Sequence, residues 1–318
     1  MNNLFFGPFK DEIFEYYQYK INLGYTFKSD LNKLKVFDKY TNKVNSKEFN
    51  LQLIYDFLDK RVDISANSKA SYASVLRGFI KYLYNNQKCN FLLPIKLYKR
   101  ERVKIPHIFC YDELDKIFNT LEKFYPDDKF KNECIYLIIY LLLCTGMRIS
   151  ECLNIKLSDI DINTRAITLY NTKNKVDRRI ILKDNVFNKL YNYINEYSYI
   201  IDGNSEKFIF IRHNFKKYNR SDIGSIFRKV LYYSKIESKG ITLHSFRHTF
   251  CVYSYKKILK TGKDYYNYIM SLSAYVGHKN FLSTEYYLRL TAELYPEIRT
   301  IINNYTGSII KKMEELDE

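Results

Sequence analysis

The residues able to do chemistry fall in three short stretches. His244, Arg247 and His248 lie in the run Thr242-Leu243-His244-Ser245-Phe246-Arg247-His248-Thr249-Phe250. On a helix, positions i, i+3 and i+4 share one face, so a guanidinium would be flanked by two imidazoles. Such a face is an anion site, because Arg carries a rigid fork of donors that matches phosphate oxygens bidentately. Thr242 can cap the helix start and add the positive end of the helix dipole. The second stretch is Thr145-Gly146-Met147-Arg148-Ile149-Ser150-Glu151. Gly146 permits a sharp turn, Arg148 leaves a buried helix end, and Glu151 lies near enough to orient it. The third holds Gly277-His278 and, further on, Tyr286 and Tyr287. With 32 tyrosines in the chain, a Tyr after a His carries meaning only through its place in the larger pattern. Each stretch also has a plain structural reading: an amphipathic helix burying Leu243, Phe246 and Phe250, a buried Arg–Glu pair, a Tyr-rich tail.

Elements of two kinds must position these residues. Up to about residue 97 the pattern is helical, with apolar residues at helical spacing over 11–22 and 27–40. Gly24 stops the first helix. Ser46 is expected to cap a third helix running to Leu58, and Asn67 or Ser68 to start a fourth. On that fourth helix Arg77 and Lys81 fall away from the apolar stripe, with Lys69 at its flank. They suit DNA phosphates or simply water. The segment 98–106 is basic, carries Lys99, Arg100 and Arg102, and is closed by Pro106. It reads as an interdomain linker that tracks a phosphate backbone, or as a plain tether.

From 107 onward a helix near 112–121 precedes a long apolar one over about 131–144, hydrophobic all round and therefore central. Residues 160–182 have strand character, over 166–170 and 179–182, broken by a basic turn with Lys173 and Lys175, which predicts a hairpin or small sheet. Helices return near 185–197 and 221–234. An amphipathic tail begins at about 296. The fold class is mainly α with a small antiparallel β-sheet, in two domains: 1–97, then the linker 98–106, then 107–318.

Composition narrows the partners. The net charge is +16 and the pI near 9.3, which favours a polyanion, nucleic acid before an anionic membrane. The longest apolar run, 134–144, is too short to span a bilayer, and the N-terminus has no signal-peptide pattern. A cytoplasmic protein, bacterial or nucleoid-associated, is expected. The six cysteines form no Cys-x-x-Cys pair and read as buried reduced thiols, with no metal site. No phosphate-binding Gly-rich loop or carboxylate cluster for two metals is present, so no cofactor is expected.

Taken in order, Thr145-Gly146-x-Arg148-x-Ser150-Glu151, His244-x-x-Arg247-His248-Thr249-Phe250, Gly277-His278 and Tyr287 resemble the tyrosine recombinase (phage integrase) family. The resemblance implies a helical core-DNA-binding domain over 1–97 and a catalytic domain over 107–318. It implies Arg148, His244, Arg247 and His278 as the cradle of a scissile phosphate, with Glu151 and His248 in support. Tyr287 falls nine residues beyond His278 and takes the nucleophile's place, with Tyr286 as rival. Lys173 matches the hairpin general acid, although the turn departs from the usual Gly-Lys-Gly form and leaves Lys175 open. The implied activity is site-specific recombination or integration by DNA strand transfer through a covalent 3′-phosphotyrosine, as for the integrase of a mobile element. The implied partner is double-stranded DNA with specific recombination sites, bound by a homo-tetramer, with accessory proteins allowed. The alternatives are type IB topoisomerase-like relaxation and a non-catalytic DNA-binding protein.

Overall fold

The computed structural model describes residues 4–25, 27–60, 64–95, 97–98, 105–170, 177–261, 265–277, 286–287, 290 and 294. The chain divides into two compact units, Met1–Lys104 and Ile105–Glu318.

The first unit is built from α1 (Lys10–Asn22), α2 (Lys28–Lys43), α3 (Leu51–Asp59) and α4 (Ala66–Asn85). Their apolar faces bury Ile13, Leu34, Phe37, Ile54, Phe57 and Phe79 in one core. Two helix starts differ from expectation, and the caps explain why. Asn50 Oδ1 accepts the backbone N–H of Leu53 at 2.9 Å, so α3 begins at Leu51. The Ser46 hydroxyl instead donates to the Glu48 carbonyl. Ser65, not Asn67 or Ser68, caps α4 by accepting from the Ser68 N–H at 3.2 Å. On α4, Lys81 is exposed and Lys69 half-buried. Arg77 turns its fork onto the Pro94 carbonyl, with Nε at 3.0 Å and Nη2 at 2.7 Å.

The second unit runs α5 (Tyr111–Glu122), α6 (Lys129–Thr145), α7 (Ile149–Cys152), β1 (Ile160–Asp161), β2 (Ala166–Leu169), β3 (Arg178–Ile181), α8 (Asp184–Glu196), α9 (Ser198–Asp202), α10 (Arg220–Tyr233), α11 (His244–Thr261) and α12 (Tyr265–Val276). The class is therefore mainly helical with a small antiparallel sheet, as expected. The sheet is ordered β1-β2-β3, with Ile167 opposite Ile180 and Leu169 opposite Arg178. The all-round apolar α6 is central, burying Ile135, Ile138, Ile139, Leu141 and Leu142. Asp128 caps it, accepting from the Lys131 N–H at 3.0 Å. All six cysteines are free thiols; Cys134, Cys152 and Cys251 are buried. Cys110 departs from expectation and is exposed, because it occupies the cap position before α5 rather than an apolar face. Among the described residues, no helix is long and apolar enough to cross a membrane.

Packing decides which face of α11 carries chemistry. Phe246 is fully buried between Phe109 and Phe227, with ring centroids 4.8 and 5.1 Å away. Thr249 ties the same face down: its hydroxyl accepts from the Phe109 N–H at 3.0 Å and donates to the Ser245 carbonyl at 2.9 Å. Phe246→Ala removes the ring and leaves a cavity, so it should destabilise the second unit by about 3–5 kcal/mol. Urea unfolding reads this directly, and a loss under about 1 kcal/mol would show that the aromatic cluster does not hold the helix.

Candidate active site

The site begins where α6 ends. Thr145 Oγ1 donates to the Leu141 carbonyl at 2.6 Å and accepts from the Met147 N–H at 3.3 Å. Gly146 then turns the chain in the left-handed region, φ 62°. A Cβ there would lie 2.4 Å from the Phe250 ring, so a side chain is excluded twice over, by conformation and by space. Beyond this turn Arg148 is extended and α7 starts.

Glu151 closes back on that start. Its carboxylate accepts the Arg148 backbone N–H at 2.8 Å and the Arg148 Nη1 at 2.7 Å. It also receives a second fork, from Arg178: Nη1 at 3.0 Å and Nη2 at 2.7 Å. The two guanidiniums then reach the end of α12. Arg178 Nε donates to the Tyr275 carbonyl at 2.9 Å, and Arg148 Nη2 to the Gly277 carbonyl at 3.2 Å. Gly277 has φ 70°, and a Cβ on it would sit 3.0 Å from Arg178 Nη1.

Arg178 was not anticipated from the sequence. The expected strand began one residue later, at Arg179, which points to solvent and pairs with Asp161. Alternation was the available signal: Arg178 shares its strand face with the buried Ile180.

Helix α11 supplies the opposite wall. Thr242 and Ser245 side chains both tie its start: Thr242 Oγ1 accepts from the His244 N–H at 3.2 Å, and Ser245 Oγ from the Thr242 N–H at 3.1 Å. His244 stands exposed at the first helical position, with its ring edge-on to His248, centroids 4.6 Å apart. Arg247 is 2% exposed and donates through Nη1 to the Gly146 carbonyl at 2.7 Å. That bond joins the two halves of the site, since Gly146 is the turn that aims Arg148. Next to Arg247, His248 Nδ1 lies 2.8 Å from the Tyr287 hydroxyl. Tyr287 is buried, while its neighbour Tyr286 is exposed.

Electrostatics follow from burial. Desolvation lowers the pKa of Arg247, and the Arg148 charge pushes the same way. Burial, then the fields of His244 and Arg247, bring His248 down to about 4. It is therefore neutral near pH 7 and can accept the phenol proton in a hydrogen bond. Burial raises the Tyr287 pKa well above its ordinary value, and the Arg247 charge only partly offsets this. Burial also opposes ionisation of Glu151, but the forks of Arg178 and Arg148 outweigh it and hold the carboxyl at about 2.

The sequence-derived residues outside α4 thus divide into two groups. Arg148, Glu151, Arg247, His248, His244 and Tyr287 are linked through the contacts above. His278, Lys173 and Lys175 lie outside the described residues, as do Lys99, Arg100 and Arg102.

The Glu151 carboxyl has a testable consequence. Its folded pKa lies below its ordinary 4.5, so its stabilisation is complete above pH 4.5 and disappears as pH falls through about 2. Glu151→Gln should cost roughly 3 kcal/mol at pH 7. The gap to wild type should close steadily between pH 5 and pH 2 in denaturant titrations, and a gap independent of pH would show that the carboxylate's charge is not what the two forks hold.

The family model described as "Phage integrase family" matches residues 109–293, more than half of the 318-residue chain. A probable integrase/recombinase of Methanocaldococcus jannaschii is 29% identical over 278 residues, covering 82% of this chain and 80% of that protein. The tyrosine recombinase XerC of Pediococcus pentosaceus is 26% identical over 275 residues, covering 83% and 86%. Among solved structures, the XerH site-specific recombinase bound to a palindromic difH substrate superposes with TM-score 0.66 at 17% identity, over 86% of this chain and 80% of that one, a likeness of fold. The chain belongs to the phage integrase family, the tyrosine recombinases.

Proposed function

We propose that this protein cuts and rejoins double-stranded DNA at specific recombination sites through a covalent 3′-phosphotyrosine. One observation carries the reading. Arg247 donates to the Gly146 carbonyl, two residues before Arg148, while the residue after Arg247 holds the Tyr287 hydroxyl. Two guanidiniums and a phenol are thereby tied to one turn. Arg148 and Arg247 clamp the non-bridging oxygens of the scissile phosphate, where charge accumulates during transfer. His244 and His278 add hydrogen bonds. The Tyr287 oxygen bonds to phosphorus, and the bond to the 5′-oxygen breaks. The phenol proton leaves toward a neighbouring acceptor such as neutral His248, and Lys173, with Lys175 as rival, protonates the departing 5′-oxygen. The phosphotyrosine ester keeps the energy of the broken bond, so rejoining is the same exchange in reverse and needs no ATP.

The helical unit 1–97 serves as the core-DNA-binding domain, the segment 98–106 as the linker and 107–318 as the catalytic domain. The net charge of +16 supports a DNA partner, as does the difH substrate held by the XerH neighbour. Lys69 and Lys81, with Lys99, Arg100 and Arg102, are the proposed phosphate contacts of the first unit and the linker. Arg77 contributes by fixing the Pro94 backbone rather than by reaching outward. A homo-tetramer on paired sites is the proposed working assembly, with accessory proteins a further part of the reading.

Tyr287→Phe should retain DNA binding and give no covalent adduct on a nicked suicide substrate; an adduct that persists would transfer the nucleophile's role to Tyr286. Lys173→Ala should slow cleavage by about 10²–10⁴-fold on an ordinary substrate and recover on one with a 5′-thiol leaving group, which needs no proton. Absence of that recovery would give the role to Lys175. Rapid relaxation of supercoiled DNA lacking any specific site would replace recombination with topoisomerase-like action.

A further inference from the structure

Two arginines share the Glu151 carboxylate, and they are not equivalent. Arg178 is the enclosed one, its side chain 8% exposed, with both Nη atoms on the carboxylate and Nε on the Tyr275 carbonyl. Arg148 is the open one, 20% exposed, with one fork nitrogen on Glu151. Arg247 feels the charges of both Arg148 and Glu151, so the groups form one electrostatic cluster.

The charge balance of that cluster is informative. Without Arg178, Arg148 and Glu151 would neutralise one another, and a phosphate approaching Arg148 would meet a carboxylate directly behind it. With Arg178 present, the carboxylate is already spent. Three guanidiniums against one carboxylate leave a net charge of plus two. An attacked phosphodiester moves from one negative charge toward two on its non-bridging oxygens, which matches that surplus.

We infer that Arg178 is an electrostatic positioning residue: it neutralises Glu151 so that Glu151 can aim Arg148 without cancelling its charge. The bond network explains why a carboxylate beside the scissile phosphate is tolerated at all. Glu151 fixes Arg148 through its backbone and its fork, and Arg178 removes the repulsion this would otherwise cause. The inference deepens the proposed reaction and rests on it.

The test compares cleavage by the full chain on a normal suicide substrate and on one whose scissile phosphate is a neutral methylphosphonate. Wild-type protein forming no adduct on either substrate would overturn the proposed reaction itself. Given wild-type cleavage, Arg178→Met should fall about 10²-fold or more behind wild type on phosphate, as for loss of one preorganised stabiliser, and come within about tenfold of wild type on methylphosphonate. Arg178→Lys keeps the charge and loses the fork, so it should stay within about tenfold of wild type on phosphate. Equal deficits on both substrates, an unimpaired Arg178→Met, or an Arg178→Lys as impaired as Arg178→Met would each overturn the inference. If Arg178→Met does not fold, the double variant Arg178→Met with Glu151→Gln, which removes both charges, decides. Phosphate cleavage by the double variant equal to that of the Glu151→Gln single variant supports the inference, and a further loss overturns it.

Discussion

The hydrogen bond from Arg247 to the Gly146 carbonyl is the constraint on which the site depends. Removing a guanidinium from water costs several kcal/mol unless its donors are met. At 2% exposure Arg247 meets one such acceptor in the Gly146 carbonyl. The Gly146 carbonyl is available because α6 has ended and the chain has turned through a left-handed residue. That turn requires glycine, and the Phe250 ring lying against it comes from the helix that carries Arg247. The cation, the turn and the packing are therefore one arrangement. Altering any of them moves Arg148 as well, because Arg148 is two residues beyond the carbonyl.

The nucleophile candidate is held in a protonated state by the same physics. A phenol with little solvent exposure is a poor source of phenolate, and the neutral His248 beside it accepts a hydrogen bond without creating a charge. Burial is the main force that drives the His248 pKa down, and the fields of His244 and Arg247 add to it.

Much of this was legible in the sequence, for identifiable reasons. Arg148 stands out because it follows the apolar α6 across the turn that Gly146 marks, and Arg247 because it lies on α11, whose period sets its direction. The all-round apolar character of α6 predicts its central place, and the 3.6-residue period places Phe246 on the core side of α11. Arg178 was hidden because its partner Glu151 is 27 residues away and its strand is short. No local periodicity reports a contact of that range, and a one-residue error in the strand start exchanges the inward Arg178 for the outward Arg179. Helix starts were misplaced at Ser46 and Asn67 because several Ser and Asn residues could serve as caps and only backbone geometry selects among them. Helix α12 was missed as an element although its end carries the carbonyls that the two arginines use.

Those carbonyls show how helix ends hold the cationic groups. A helix C-terminus leaves unsatisfied carbonyls and a partial negative charge, and arginine meets both needs. Arg247 takes the carbonyl just past α6, Arg178 takes one in the last turn of α12, and Arg148 takes the one at Gly277. Each guanidinium is thus held by a rigid acceptor fixed by core packing. The N-terminus of α11 has the opposite polarity: its positive end stands at His244, where an added anion is favoured. Two negative helix ends hold the arginines and one positive end augments them. A phosphate can then be gripped by groups that need little rearrangement when charge develops on it.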